Sequence, residues 1–466
     1  MAFLILCSLR CQHLDEYCAI SSHRSGGWMI PTRRFALVAL VVSAILLAFP
    51  GDLNGSLLLA LLGVNAILLL IGFADSRLAV DPRGLTVRRH HVPVATLETS
   101  VGVNWEILNP TNKSARVRIA DSLVDSLRVA HPEVSLRVPP LGRAVATSEL
   151  WPSRRGRFAL TDMVVRSTGP LGLMSRQKRV EVASVLRVHP PFRSKAEAEL
   201  RVRQARRNDG GLRLSRGKGG GTEFEQLREY SPDDEFRRID WAASARLGHT
   251  IVRTYRPEIN QNVVIMLDNG RVMAPQVAGV PRVELAMDAV MMLTAVATGV
   301  GDKVGMVAFD TEERAILAPS HHANQVGRVT EAMFALEPVL SESDYHAGFQ
   351  FTLSRFRRRS LMVLLTELAP GAIEESIMPS LSLILRRHVV MLGTVRDPQI
   401  VQWASEPADS PEGLYRRSAA LQVIADRERL IAKLRGMGAT VIDAPPGKLS
   451  SQLADAYLAM KSSGAL

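Results

Sequence analysis

The chain has 466 residues, 47% of them apolar and 22% charged, with a formal charge of +11 at pH 7. Such a length supports two or three domains with cores of their own and excludes a chain too polar to fold. The positive balance admits nucleic acid, anionic lipid or an acidic protein surface as a partner and by itself selects none of them.

All three cysteines, Cys7, Cys11 and Cys18, fall in the first eighteen residues. A disulfide framework in the body is therefore excluded, and the C-x3-C-x6-C spacing matches no usual zinc pattern. Residues 1–28 form an extension without a sustained period, and Met29 is a second candidate start. Residues 35–49 and 57–73 are uncharged apolar runs of 15 and 17 residues separated by Pro-Gly-Asp-Leu-Asn-Gly-Ser. They predict a transmembrane helical hairpin within 29–75, each arm near the lower limit for about 30 Å of hydrocarbon. Arg33 and Arg34 precede the first run, Arg77, Arg83, Arg88 and Arg89 follow the second, and the turn has no Lys or Arg. By the positive-inside rule both ends face the cytoplasm, so the bulk of the chain is expected there, beneath an inner (plasma) membrane.

Over 78–190 the pattern changes to period two. Val101, Val103, Trp105 and Ile107 alternate with small or polar residues, as do Val117 and Ile119, and with the turn signals at 109–112 and 139–142 this predicts a small β-sandwich. Residues 191–222 read as a flexible basic linker, with nine Lys or Arg between Arg193 and Lys218. Its glycine-lysine run at 217–222 misses the GxxxxGK[ST] pattern of a phosphate-binding loop. From 261 to 466 strands alternate with helices. Strands are expected at 263–267, 304–309, 315–317, 361–366, 389–395 and 440–442, and helices at 283–300, 321–336, 344–357, 374–386, 418–436 and 449–460. Continuous Val/Ile/Leu strands between helices predict a mostly parallel sheet covered on both faces, with ligands at the carboxyl ends of the strands.

The stretch 221–273 contains Arg228-Glu229-Tyr230, Asp233-Asp234, Ile239-Asp240-Trp241, Ser244-Ala245-Arg246 and a strand ending in Asp268. It resembles the hallmark of the domain-of-unknown-function 58 (DUF58) family. The resemblance runs over roughly 29–466, including the paired helices and the segment from Arg155-Gly156-Arg157-Phe158 to Gly169-Pro170-Leu171-Gly172-Leu173. It implies an α/β fold with a doubly wound, mostly parallel von Willebrand factor A-like sheet over 261–466, behind the hairpin, the β-sandwich and a hallmark segment at 223–260. It also implies a MoxR-type AAA+ ATPase as partner.

A domain of that kind holds a divalent ion through a DxSxS motif after its first strand, where hard oxygen ligands suit Mg2+ or Ca2+. The matching positions here are Asp268, Gly270 and Val272, so both serine hydroxyls are missing. Glu367 and Ser343 are the candidate replacements. No catalytic motif occurs, and a phosphoryl-transfer role for Asp268 lacks its second carboxylate. In the hallmark, Arg228, Tyr230, Asp233, Asp234, Asp240, Trp241 and Arg246 form either a partner surface or a brace, with Arg228 pairing Asp233 or Asp234 and Asp240 pairing Arg246. The resulting expectation is a non-enzymatic, membrane-anchored scaffold without a resident cofactor. Its alternatives are a metal-dependent binder or enzyme using Asp268 and Glu367, and a basic lipid- or nucleic-acid-binding module centred on residues 193–218, whose binding should weaken with salt and with loss of Arg203, Arg206 and Arg207.

Overall fold

Leucine, alanine and valine without charges favour helix, and the two apolar runs form α1 (Arg33–Ala48) and α2 (Gly55–Leu78). This computed structural model describes residues 28–48, 55–214, 223–232, 234, 236, 239–256, 261–407 and 410–466. The three cysteines, the turn between the helices, the glycine-lysine run and Asp233 lie outside the described residues. Leu37, Leu40, Val41 and Ile45 of α1 and Leu62, Ile67, Leu69 and Leu70 of α2 are exposed. Among the described residues, one helical stretch, Leu62–Gly84, is long and apolar enough to cross a membrane by length and composition. The chain divides into two units, Met1–His189 and Pro190–Leu466.

In the first unit, alternation of buried and exposed residues builds two sheets. The first runs β1 (Trp28–Pro31), β10 (Met174–His189), β9 (Gly156–Thr168), β5 (Ala115–Asp121), β7 (Glu133–Val138), with β3 (Val94–Thr96) beside β10. The second runs β2 (Thr86–His91), β4 (Val101–Leu108), β8 (Arg143–Pro152), β6 (Leu127–Val129). Their inner faces share one buried cluster that includes Trp105, Ile107, Ile119, Leu150, Leu160 and Met163. Arg89 lies inside this core. Its Nε donates to Asp121 Oδ2 at 2.8 Å and its Nη1 to the carbonyls of Leu160 and Val182 and to Ser184 Oγ, while Trp105 Nε1 donates to the same Asp121 oxygen. Read along the sequence Arg89 is a flank of an apolar run; in the fold it is a buried cation with its counter-charge.

The end of α2 is tied to these sheets through Asp75, which is fully buried. Its carboxylate accepts from the backbone N–H groups of Leu171 (2.8 Å), Leu173 (2.8 Å) and Met174 (3.0 Å). A Cβ at Gly169 would stand 2.4 Å from that carboxylate, so the close approach of the β9–β10 loop requires glycine there.

In the second unit, residues expected as linker form α3 (Lys195–Leu214). Glu197 with Arg201 and Glu199 with Arg203 are i,i+4 pairs, and Ala198 buries the apolar side. Then come β11 (Glu223–Glu229), α4 (Trp241–Leu247), β12 (Ile251–Arg256), β13 (Asn262–Asp268), the short β14 (Gln276–Val277) and β15 (Val280–Pro281), α5 (Arg282–Gly299), β16 (Lys303–Phe309), β17 (Glu313–Ser320), α6 (Gln325–Met333) and α7 (Tyr345–Arg355). β18 (Ser360–Leu365) leads into a helical stretch at 370–384 interrupted by a π turn, followed by β19 (Val389–Val395), α8 (Pro398–Ser405), α9 (Pro411–Gly436), β20 (Thr440–Ala444) and α10 (Leu449–Ser463). The main sheet has the order β17-β16-β13-β18-β19-β20.

The doubly wound, mostly parallel von Willebrand factor A-like class expected for the protein is corrected by this pairing. The fold is mixed α/β. Three of the five sheets are wholly antiparallel, the first-unit sheet around β9 is antiparallel except for β3, and the main sheet of the second unit ends in antiparallel β17. The reason is physical. Strand–helix alternation, which supplies the crossovers that parallel pairing needs, sets in only after residue 261, while the earlier strands are linked without crossover helices and pair antiparallel, mostly with strands that are not their neighbours in sequence, as β4 does with β8 and β5 with β9.

Candidate functional site

β13 and β18 are parallel neighbours, so their carboxyl ends bring Asp268 and Thr366 together. Asp268 is fully buried. Its Oδ1 accepts from Ser343 Oγ (2.5 Å) and Gly270 N (2.8 Å), and its Oδ2 from Tyr345 OH (2.7 Å) and Thr366 Oγ1 (2.5 Å). Burial, followed by the negative charge of Asp268, raises the pKa of Tyr345, which keeps the phenol a proton donor. Ser343 and Tyr345 are aligned by the entry to α7, where Asp344 caps the helix by accepting from Ala347 N.

Gly270 decides what else fits. A Cβ at this position would lie 2.1 Å from Ser343 Oγ, so that hydroxyl fills the space a side chain at 270 would need. Val272 offers no ligand atom and packs against the core. Glu367 turns away from Asp268: its carboxylate takes Arg427 Nη1 at 2.5 Å, Arg282 Nε at 3.4 Å and Thr394 Oγ1 at 3.1 Å, and Arg427 also holds Asp443. Between Thr366, Glu367, Thr394 and Arg282 is a recess of about 10 Å³, room for about one water. With Asp268 engaged by four donors and Glu367 by two guanidinium groups, these residues do not fit a divalent ion. Among the described residues no group of three or more His, Cys, Asp or Glu is placed to hold a metal.

Sequence reasoning found Asp268, Ser343 and Glu367 but missed Tyr345, Thr366, Arg282, Thr394 and Arg427. Thr366 stands next to Glu367 and Tyr345 two residues past Ser343, so a search for hydroxyls beside the acidic positions finds both. Arg427 lies 60 residues from Glu367 and carries no local signal.

The adjacent strand end carries Asp310, also buried. Burial alone raises its pKa, but the hydrogen bonds from Arg314, Asn269 and the Glu312 N–H outweigh that and hold it below the usual carboxylate range. A carboxylate whose folded pKa lies below its unfolded value, about 3.9, contributes stability that is present above that value and lost as pH falls through the folded pKa. Removing the cation takes away one of the interactions that hold the pKa down, so Arg314→Gln is expected to be less stable than the wild type near neutral pH, with the difference shrinking as pH falls below about 3.9. Thermal melting across a pH series tests this, and a difference that is the same at every pH refutes it.

The hallmark segment is a two-stranded ribbon, β11 with β12, closed by α4 and an Ile239–Val252 bridge. Arg228 pairs with Asp234. Asp240 caps α4 through the N–H groups of Ala242 and Ala243 and pairs with Arg253 at 2.7 Å, whereas Arg246 donates to the carbonyl of Ala242. The N–H of Ala243, followed by Arg253, lowers the pKa of Asp240. These ion pairs close inside the segment, and three aromatic residues turn outward: Phe236 and Trp241, 70% and 60% exposed, meet edge to face at 5.5 Å, with Tyr230 also exposed. On α3, Arg201 is engaged by Asp455 and Glu197, Arg206 by the carbonyl of Gly299, and Arg203 lies 3.8 Å from Glu199.

Residues 226–402, from β11 into α8, match the family model described as Protein of unknown function DUF58. Over this segment the chain is similar to the DUF58 family. It is 26% identical over 186 residues to uncharacterised proteins of Mycobacterium tuberculosis and Mycobacterium bovis, a match that covers 40% of this chain. The chain spans 58% of the length of these relatives. Among solved structures, the conserved hypothetical protein BatB from Bacteroides thetaiotaomicron is similar over 44% of this chain and 99% of its own, at 16% identity and a TM-score of 0.29. The CARDB domain of a Pyrococcus furiosus protein is similar over 22% of this chain and 91% of its own, at 12% identity and a TM-score of 0.15. At these TM-scores neither likeness carries an argument.

Proposed function

We propose that this protein is a scaffold anchored in the inner (plasma) membrane by α1 and α2, with its second unit in the cytoplasm presenting a binding face to a protein partner. The observation that carries this reading is the saturation of Asp268. A catalytic or metal-binding carboxylate needs a free lone pair or an open ligand position, and each oxygen of Asp268 instead accepts two internal hydrogen bonds. The same bonds fix the loops after β13 and β18 and the entry to α7, which suits a face that must keep its shape when bound. The outward Phe236 and Trp241 supply aromatic anchors of the kind that dominate protein interfaces. The membrane part rests on the exposed apolar side chains of both helices and on Arg33, Arg34, Arg77 and Arg83 at the ends opposite the turn, which has no Lys or Arg. The family resemblance suggests a MoxR-type AAA+ ATPase as the partner.

The test is a pull-down of the full chain in mild detergent, with Mg2+ or with a chelator, beside Phe236→Ser/Trp241→Ser. The expected result is one AAA+ ATPase recovered by the wild type in both conditions and lost with the double variant. Recovery that requires Mg2+ would favour the metal-dependent alternative, and no specific partner in either condition would remove the scaffold reading.

A further inference from the structure

The loop between β9 and β10 is held from two sides. Asp75 of α2 takes the N–H groups of Leu171, Leu173 and Met174, and Thr32, just ahead of α1, donates to the carbonyls of Gly172 and Leu173 at 2.6 and 3.0 Å. A loop so restrained nevertheless presents a bare apolar side chain: Leu171 is 56% exposed.

The depth of this loop follows from the helix that holds it. Phe73 ends the uncharged run of α2, and Asp75 lies two residues further on, about 3 Å along the axis at 1.5 Å per residue. The interfacial layer on each side of the hydrocarbon is roughly 5–7 Å thick. A helix crossing with Phe73 at the hydrocarbon edge therefore carries Asp75, and Leu171 bonded to it, within that layer. The neighbouring groups suit the same depth. Phe73 is exposed with the Arg77 guanidinium 5.0 Å over its ring, and Arg34 reaches to Gly172, so an aromatic ring and two cations stand where lipid phosphates would be. Sinking the loop into the interface exposes no bare charge, because Asp75 is already buried and hydrogen-bonded.

We propose that the β9–β10 loop is a second membrane contact, with Leu171 inserted among the lipids of the headgroup layer. This rests on the reading of α2 as a membrane span. The first unit is then locked at the bilayer surface in a fixed orientation and does not swing on a tether.

The test uses the full chain with Cys7, Cys11 and Cys18 replaced by serine and a single bimane-labelled cysteine. The sites are Leu171→Cys, Leu69→Cys in the apolar part of α2, and Val124→Cys. Val124 is exposed and follows β5, whose register from Arg116 to Asp121 puts the end of that strand about 17 Å along the sheet from the loop. Each protein is reconstituted into phosphatidylcholine–phosphatidylglycerol vesicles containing lipid with a nitroxide near the headgroup or near the chain end. The expected result is a blue shift and loss of emission at 171 with the shallow nitroxide, loss at 69 with the deep one, and neither at 124. Quenching at 69 without quenching at 171 would overturn the inference and leave the membrane span standing. Absence of quenching at both would overturn the span and the inference together. Equal quenching at 171 and 124 would mean diffuse adsorption and would also overturn it.

Discussion

Arg89→Ala is expected to destabilise the first unit by about 3–5 kcal/mol, the range for removing one partner of a buried ion pair. The side chains of Arg89 and Asp121 are 0% and 1% exposed. Without the guanidinium, Asp121 keeps only the indole N–H of Trp105, and the carbonyls of Leu160 and Val182 lose a buried donor. A loss of that size lowers the melting temperature by roughly 6–20 °C for a unit of this length. The cause is distinguishable from a packing defect. Because two well-packed apolar residues often replace a buried pair at little cost, Arg89→Met combined with Asp121→Leu is expected to recover most of the loss. Thermal melts of the full chain in detergent, followed by circular dichroism, supply both numbers. A single variant that melts with the wild type would show that the buried pair contributes nothing net.

How far such features could be read beforehand depended on how locally they are encoded. The strands at 101–107 and 117–119 were legible because one face of each is buried, and β13, β18 and β19 because strands covered on both faces are continuously apolar. α8 was missed and the start of α9 placed too late, although Asp397-Pro398 and Ser410-Pro411 are ordinary helix-start signals. α3 was taken for a linker because its dense charge hides an apolar side of little more than Ala198 and Val202. The fold class failed for a different reason: continuous apolar strands between helices after 261 predicted a doubly wound, mostly parallel sheet, whereas the fold is mixed α/β, with several antiparallel sheets and antiparallel β17 at the edge of the main one. At the site, Asp268 and Glu367 stand at the ends of neighbouring strands. Their separation was not legible, because Arg282 and Arg427, distant in sequence, decide where Glu367 points.

The second large effect is expected at Asp268. Asp268→Ala leaves the hydroxyls of Ser343, Tyr345 and Thr366 and the N–H of Gly270 without their buried acceptor, at a cost of at least about 3 kcal/mol, since each unsatisfied buried group costs about 1–3 kcal/mol and neighbouring losses are not additive. Asp268→Asn keeps one acceptor oxygen and the shape, so its melting temperature is expected to fall between those of the wild type and the alanine variant. Mg2+ separates the readings further. An ion that binds only the folded protein stabilises it by about 2.7 kcal/mol at a hundredfold excess over its dissociation constant. With Ser343 filling the space beside Gly270, the wild type is expected to melt at the same temperature with and without millimolar Mg2+, and Asp268→Asn to retain its partner under conditions where it is folded. A wild-type melting temperature that rises with Mg2+, and fails to rise in Asp268→Asn, would instead establish Asp268 as a metal ligand and return the protein to the metal-dependent class.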